Sequence, residues 1–187
     1  MVKALGGIYW VYRNFKGDYL IALDYIKRAL EIDINQTDAA KGSDLHLLGE
    51  TEFLIGSYRE ASKSFELASE VWAKIDDQKQ NIWTQSWLAL SELRLGNQEK
   101  ARKRVKQIET VMKNIDPYPA DIEIVNWNLS QVYDGFGLTE KSKESLKIAY
   151  NEVIKQANTF KNTSAREKFL ANFRVNREVI AAWEKLN

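Results

Sequence analysis

The chain has 187 residues and no cysteine, so neither a disulfide framework nor a thiolate metal site can form. Lys and Arg number 27 against 26 Asp and Glu, which leaves no overall field to draw the chain onto a polyanion or an acidic membrane. Nowhere do about 18 uncharged apolar residues run together, and residues 1–7 lack a secretion-signal core, so a cytoplasmic location with no membrane partner is expected.

In chain order, the first predicted element is a helix over about residues 4–15, apolar nearly all round through Ile8, Tyr9, Trp10, Val11, Tyr12 and Phe15. With no polar face of its own, it predicts that Tyr9, Trp10 and Tyr12 contact an upstream repeat or a second copy of the chain. Gly17 ends it, Asp18 caps the next helix, and that helix runs to about residue 33. Then come helices over about 40–54 and 58–74, with Gly56 between them and Ser57 and Glu60 as a capping box. A third pair spans about 78–94 and 98–114 around Gly96 and the cap Asn97. The two prolines, Pro117 and Pro119, mark a break before a fourth pair at about 120–135 and 140–158, joined by Gly137 and opened by Thr139. Ser164 and Glu167 form a further capping box, and a last helix from about Asn176 to Leu186 turns Val179, Ile180 and Trp183 inward and Arg177, Glu178, Glu184 and Lys185 outward.

These elements repeat. Gly17, Gly56, Gly96 and Gly137 recur at steps of 39, 40 and 41 residues. Five residues after each comes Ala22, Ala61, Ala101 or Ser142, nine after comes Ile26, Phe65, Val105 or Leu146, and eight before sits Tyr9, Leu48, Leu88 or Leu129. A turn glycine followed by small residues where a second helix crosses the first is the grammar of a helix-turn-helix array. Four repeats are expected over residues 1–162, at about 1–38, 39–76, 77–118 and 119–162, with capping helices over 163–187.

In the second repeat, Leu48, Gly49, Gly56, Tyr58, Ala61, Phe65 and Ala68 resemble the tetratricopeptide repeat (TPR) signature of a Leu-Gly pair, a Gly-x-Tyr turn, then Ala, Phe and Ala. The period is about six residues longer than that family's 34, a length shared with HEAT repeats, which lack this signature and stand second. The resemblance implies an all-α, right-handed superhelix (a TPR-like solenoid) of four helix pairs plus C-terminal capping helices. The tail through Phe169, Asn176, Arg177, Glu178, Ile180 and Trp183 resembles the closing segment of the C-terminal TPR region in large bacterial multidomain signalling proteins, where cyclase or ATPase modules lie upstream.

In that family the first helix of each pair lines a groove. Counting from the turn glycines assigns to it Val11 and Phe15, then His46, Glu50 and Phe53, then Trp83, Leu90 and Arg94, then Trp127 and Gln131. An aromatic lining suits a protein or peptide segment with apolar anchors, including another domain of the parent chain. The competing reading puts these rings into packing between repeats. The basic run Lys100, Arg102, Lys103, Arg104 and Lys106 offers a nucleic-acid backbone a stripe, but no aromatics interleave it and Glu99 and Glu109 flank it. His46 is the single histidine, so no ordinary zinc site and no nucleophile, base and orienter constellation can be assembled; neither cofactor nor enzymatic activity is expected. A binding scaffold is the leading expectation, with a homo-oligomerisation module through the first helix and a nucleic-acid-binding solenoid as alternatives.

Overall fold

The computed structural model describes residues 2–32, 36–114 and 121–186, with the side chains of 2–4, 14 and 15 left aside. Helices account for nearly all of them, and no strand occurs among the described residues. The order is α1 (Val2–Val11), a π-helical turn (Tyr12–Lys16), α2 (Tyr19–Ile32), α3 (Asp38–Leu54), α4 (Tyr58–Lys74), α5 (Gln78–Arg94), α6 (Gln98–Met112), α7 (Ile122–Gly135), α8 (Thr139–Ala157), α9 (Thr163–Asn172) and α10 (Arg174–Glu184). The expected proline break at Pro117 and Pro119 lies outside the described residues. Two compact units result, one up to Pro119 and the other from Ala120.

All four repeat glycines are left-handed, with φ between 65° and 83°, and an added Cβ would meet nothing within 4 Å. Glycine is therefore needed there for its backbone alone. Around three of them one turn recurs, with the amide of the following residue donating five residues back: Ser57 to Glu52 at 2.9 Å, Asn97 to Glu92 at 2.9 Å and Leu138 to Tyr133 at 2.9 Å. At Gly17 the same amide, that of Asp18, reaches back six residues to Tyr12 at 3.1 Å, because the π-helical turn inserts one residue. Asp76 ends α4 in the same left-handed way, with the Asp77 amide donating to the Trp72 carbonyl at 2.9 Å.

Within each pair the helices pack antiparallel through small residues. In the first unit Ala61, Ala68, Ala101 and Ala29 are fully or almost fully buried, as are Phe65, Ile26 and Ile108. Gly42 and Gly49 let α3 approach α4 most closely: a Cβ at either would stand 2.8 Å from the ring of Trp72 or Phe65 respectively. In the second unit α7 and α8 bury Val125, Leu129, Val132, Leu146, Ala149 and Val153, and α10 adds Val179.

The caps differ from expectation at several places. Asp18 caps as predicted, its carboxylate accepting from the Ile21 amide at 3.2 Å. Ser57 and Asn97 make no side-chain cap, since a ψ near 60° turns them away from the helix start. Thr139 is the first residue of α8, behind Leu138. The predicted capping box at Ser164 is replaced by Asn162, whose side chain accepts from the Ala165 amide at 3.0 Å.

Candidate functional site

The first helices carry the candidate site, and each unit presents its own part. In the first unit α5 packs against both α4 and α6, and α3 supplies the rings and polar groups that meet it. A continuous aromatic chain results. Phe53 meets Trp87 at 5.2 Å, Trp87 stacks on Phe65 at 6.0 Å, Phe65 meets His46 edge-on at 5.4 Å, and His46 lies 3.7 Å from Trp83. Each such pair adds about 0.5–1.5 kcal/mol beyond the area it buries.

Through the same region runs a buried polar chain. The Arg13 guanidinium, placed by the π-helical turn, pairs with the Glu50 carboxylate. The other Glu50 oxygen is 3.6 Å from His46 Nε2, and His46 Nδ1 is 2.8 Å from Thr84 Oγ1. Three successive repeats are thus linked by groups that have left water together. Tyr9 runs parallel, its hydroxyl donating to the Leu47 carbonyl at 3.2 Å and lying 3.2 Å from Thr51 Oγ1. Burial pushes its phenol up to about 12, so it stays a donor.

Two further buried carboxylates stand four residues before the turn glycines. Glu92 accepts from Ser62 Oγ at 3.0 Å and from Asn97 Nδ2 at 2.7 Å, so the residue expected as a cap is instead a partner of this buried acid. Glu52 accepts from Ser64 Oγ at 2.6 Å; burial raises its pKa against the opposing pull of that hydroxyl and of Lys27. Sequence reasoning missed Arg13, Thr84, Glu52 and Glu92. The 40-residue spacing of Glu52 and Glu92 was the available signal.

Burial removes three expected groove residues from an exposed lining. His46, Glu50 and Leu90 are at most 1 % exposed. Phe65 of α4 with Trp83 and Thr84 of α5 enclose His46, Arg13 and His46 flank Glu50, and nine of the 17 residues of α5 are buried, Leu90 among them. Phe53 and Trp83 keep a half-buried edge, and Arg94 is exposed. Phe15 falls in the π-helical turn, and its side chain is among those left aside. Of the three residues expected to contact an upstream repeat or second copy, Tyr9 is only 2 % exposed, because its ring packs with Ala22 and Ile26 while its hydroxyl is bonded inward. Tyr12 is half-buried and stacks on Tyr25 at 6.1 Å, whereas Trp10 is 47 % exposed.

In the second unit Trp127 and Gln131 are half-buried on α7 and line a cleft of about 510 Å³ with residues of α8 and α10. The Trp127 indole N–H donates to Glu178 Oε2 at 3.0 Å, and Arg174 holds both oxygens of that carboxylate at 2.8 and 2.7 Å. Glu178, predicted to face outward, keeps 39 % of its side chain exposed while its carboxylate serves as the acceptor that the half-buried indole N–H needs. Ile180 and Trp183 are half-buried with it, Trp183 stacking on Tyr150 at 5.0 Å.

The basic run on α6 is partly engaged within the chain. Arg104 reaches Gln85 at 3.3 Å and Glu66 at 3.4 Å, and Lys100 lies 3.9 Å from Glu92. Lys103 and Lys106 are exposed. No cluster of three or more potential metal ligands occurs among the described residues, nor does any helix there have the length and apolarity to cross a membrane.

Antiparallel pairs, left-handed glycines and small crossing residues together match known repeat structures. The fold is that of a TPR-like repeat array. Over 99 % of its length the chain superposes on the nearly identical TPR-like repeats of a Podosopora anserina protein described as a kinesin light chain, covering 93 % of that structure with a TM-score of 0.62 and 16 % identity. A second structure of those repeats gives a TM-score of 0.61 at 18 % identity, over 99 % of this chain and 91 % of that one. At these identities the likeness is one of fold. No family model and no curated protein matches the sequence.

Proposed function

We propose that this TPR-like array is a binding scaffold that takes a protein or peptide segment on the exposed edges of its first helices. The observation that carries the reading is the set of half-buried rings on first helices, Phe53 and Trp83 in one unit and Trp127 in the other, with Arg94 exposed at the end of α5 and Gln131 one turn from Trp127. Rings already held by packing lose little rotamer freedom when they cover a partner's apolar side chain. Glu50 then acts from beneath, holding Arg13 and His46 in place rather than meeting the partner. The resemblance of the tail to TPR regions of large signalling proteins supports a place for this array within such a protein in the cytoplasm, with another domain of the parent as its partner.

The experiment is a binding assay against peptides selected from a random display library. Trp83→Ala and Trp127→Ala each weaken a peptide centred on that ring by about 2 kcal/mol or more. Unchanged affinity in both variants, with helicity intact, rejects the reading.

One observation favours self-association as a second reading. At the third and fourth positions after the turn glycine the later repeats carry Arg59-Glu60, Glu99-Lys100 and Glu140-Lys141, but the first carries Leu20-Ile21, which are 69 % and 38 % exposed. With Ile8, Trp10 and Val11 also exposed, the first repeat offers apolar surface to a second copy. Light scattering across a dilution series tests it: a dimer that Leu20→Arg with Ile21→Glu dissociates supports this reading, and a monomer at every concentration rejects it.

A further inference from the structure

Rings fill the space between α3 and α5 in the first unit, whereas a cleft stays open between α7 and α10 in the second. In the first unit the indoles of Trp83 and Trp87 on α5 stand 3.7 Å from His46 and 5.2 Å from Phe53 on α3. In the second, the helix set beside α7 is α10, and it places Ala181 and Ala182 toward Trp127. Small side chains face the indole there, and a cleft of about 510 Å³ stays open beside it.

We propose that this cleft seats one large apolar side chain of a peptide segment, with a basic residue of the peptide on its α7 side and an acidic residue on its α10 side. The proposal rests on the reading of the chain as a peptide-binding array and specifies the ligand's chemistry. Its apolar surface comes from Trp127, Leu146, Ala181, Ala182 and Leu186, with Ser130, Gln131, Ser142 and Glu178 set among them. The volume lies within the roughly 300–1,000 Å³ range of small-ligand sites. Trp127 is immobilised before anything binds, since its N–H is held by a carboxylate that Arg174 in turn holds. Binding against a fixed ring avoids most of the ordering cost.

The charges give the segment its direction. The Glu178 carboxylate is already compensated by Arg174. The exposed charges bordering the cleft are then Asp134 on α7 and Lys185 directly after α10, one on each wall. A ligand with a cation facing the first and an anion facing the second meets both with opposite charge, while one reversed in direction meets like charges, which costs affinity and selects a single orientation.

Random peptides displayed on phage are panned on the full chain, and the enriched sequences are synthesised and titrated by calorimetry. The expected sequences carry a Phe, Trp or Leu anchor with Lys or Arg on one side and Asp or Glu on the other. Ala181→Trp fills the cleft from an exposed backbone position and is expected to weaken them by about thirtyfold or more, with circular dichroism unchanged. Asp134→Lys weakens them as well, and replacing the peptide's basic residue by Glu restores binding to that variant. Enriched peptides that bind Ala181→Trp as tightly as the original overturn the proposal; if the same peptides lose affinity on Trp83→Ala, the broader scaffold reading survives without it. A selection that enriches nothing overturns both.

Discussion

The Cα of Gly49 faces the ring of Phe65 so closely that a Cβ there would stand 2.8 Å from two of its carbons. Other repeats solve the same crossing with different volumes. Where the second repeat pairs Gly49 with Phe65, the third pairs Ala89 with Val105 and the fourth Ser130 with Leu146. Total volume is shared between the helices, so the ring of the second repeat requires the missing methyl. Gly49→Ala gains about 1 kcal/mol of helix propensity. It loses about 1–3 kcal/mol to overpacking against a fully buried ring that Trp87 and His46 hold from other sides. The net expectation is destabilisation in urea unfolding, reduced when Phe65→Val is added to make room.

The buried ion pair of Arg13 and Glu50 predicts strong coupling. Removing either partner takes from the other its nearest opposite charge, at a cost of about 3 kcal/mol or more. The double substitution Arg13→Ala with Glu50→Ala costs less than the sum of the single ones, because no charge is stranded. A double-mutant cycle by chemical denaturation measures the difference. An additive cycle would show that the pair is not formed in solution.

Capping distinguishes two starts that look alike in sequence. Asp77 accepts from the Gln80 amide at 3.1 Å at the head of α5, whereas Ser57 makes no such bond at the head of α4. Asp77→Ala is expected to cost about 1 kcal/mol and Ser57→Ala close to nothing, read as shifts in Tm.

Stability falls as pH rises out of the acid range on account of Glu52 and Glu123. Burial raises both above their ordinary value of 4.5. Below that value folded and unfolded chains are alike protonated at these sites. Above it the unfolded chain releases its protons first while the folded chain retains them, so their contribution declines until pH has passed the folded pKa. Glu52→Gln with Glu123→Gln keeps neutral partners for Ser64 and Gln156 and is expected to flatten this decline in a pH series of denaturation midpoints. An unaltered slope would assign the pH dependence to other groups.

Much of the fold was legible because the signals that set it are local. Turn glycines must be left-handed, alanines must lie where helices cross, and both recur at fixed offsets, so the eight repeat helices fall within a few residues of their predicted bounds. The π-helical turn at Tyr12–Lys16 was not legible, since the inserted residue is stabilised by the partner Arg13 finds on another helix. The site was read less well for a related reason. Helical periodicity tells which face a residue occupies but not whether a neighbouring repeat covers it, so His46, Glu50 and Leu90 were placed on the correct helices and turned out enclosed. Ser57 and Asn97 show the same limit in miniature: residue type favoured a cap, while a buried carboxylate took Asn97 for itself.

The most direct test of the central claim is chemical-shift mapping of the isotope-labelled chain with a library-selected peptide. Perturbations are expected at Phe53, Trp83 and Arg94 on α3 and α5, or at Trp127 and Gln131 on α7, with the α6 stripe from Lys100 to Lys106 silent. Perturbations confined to that stripe, or to Leu20 and Ile21, would contradict that claim.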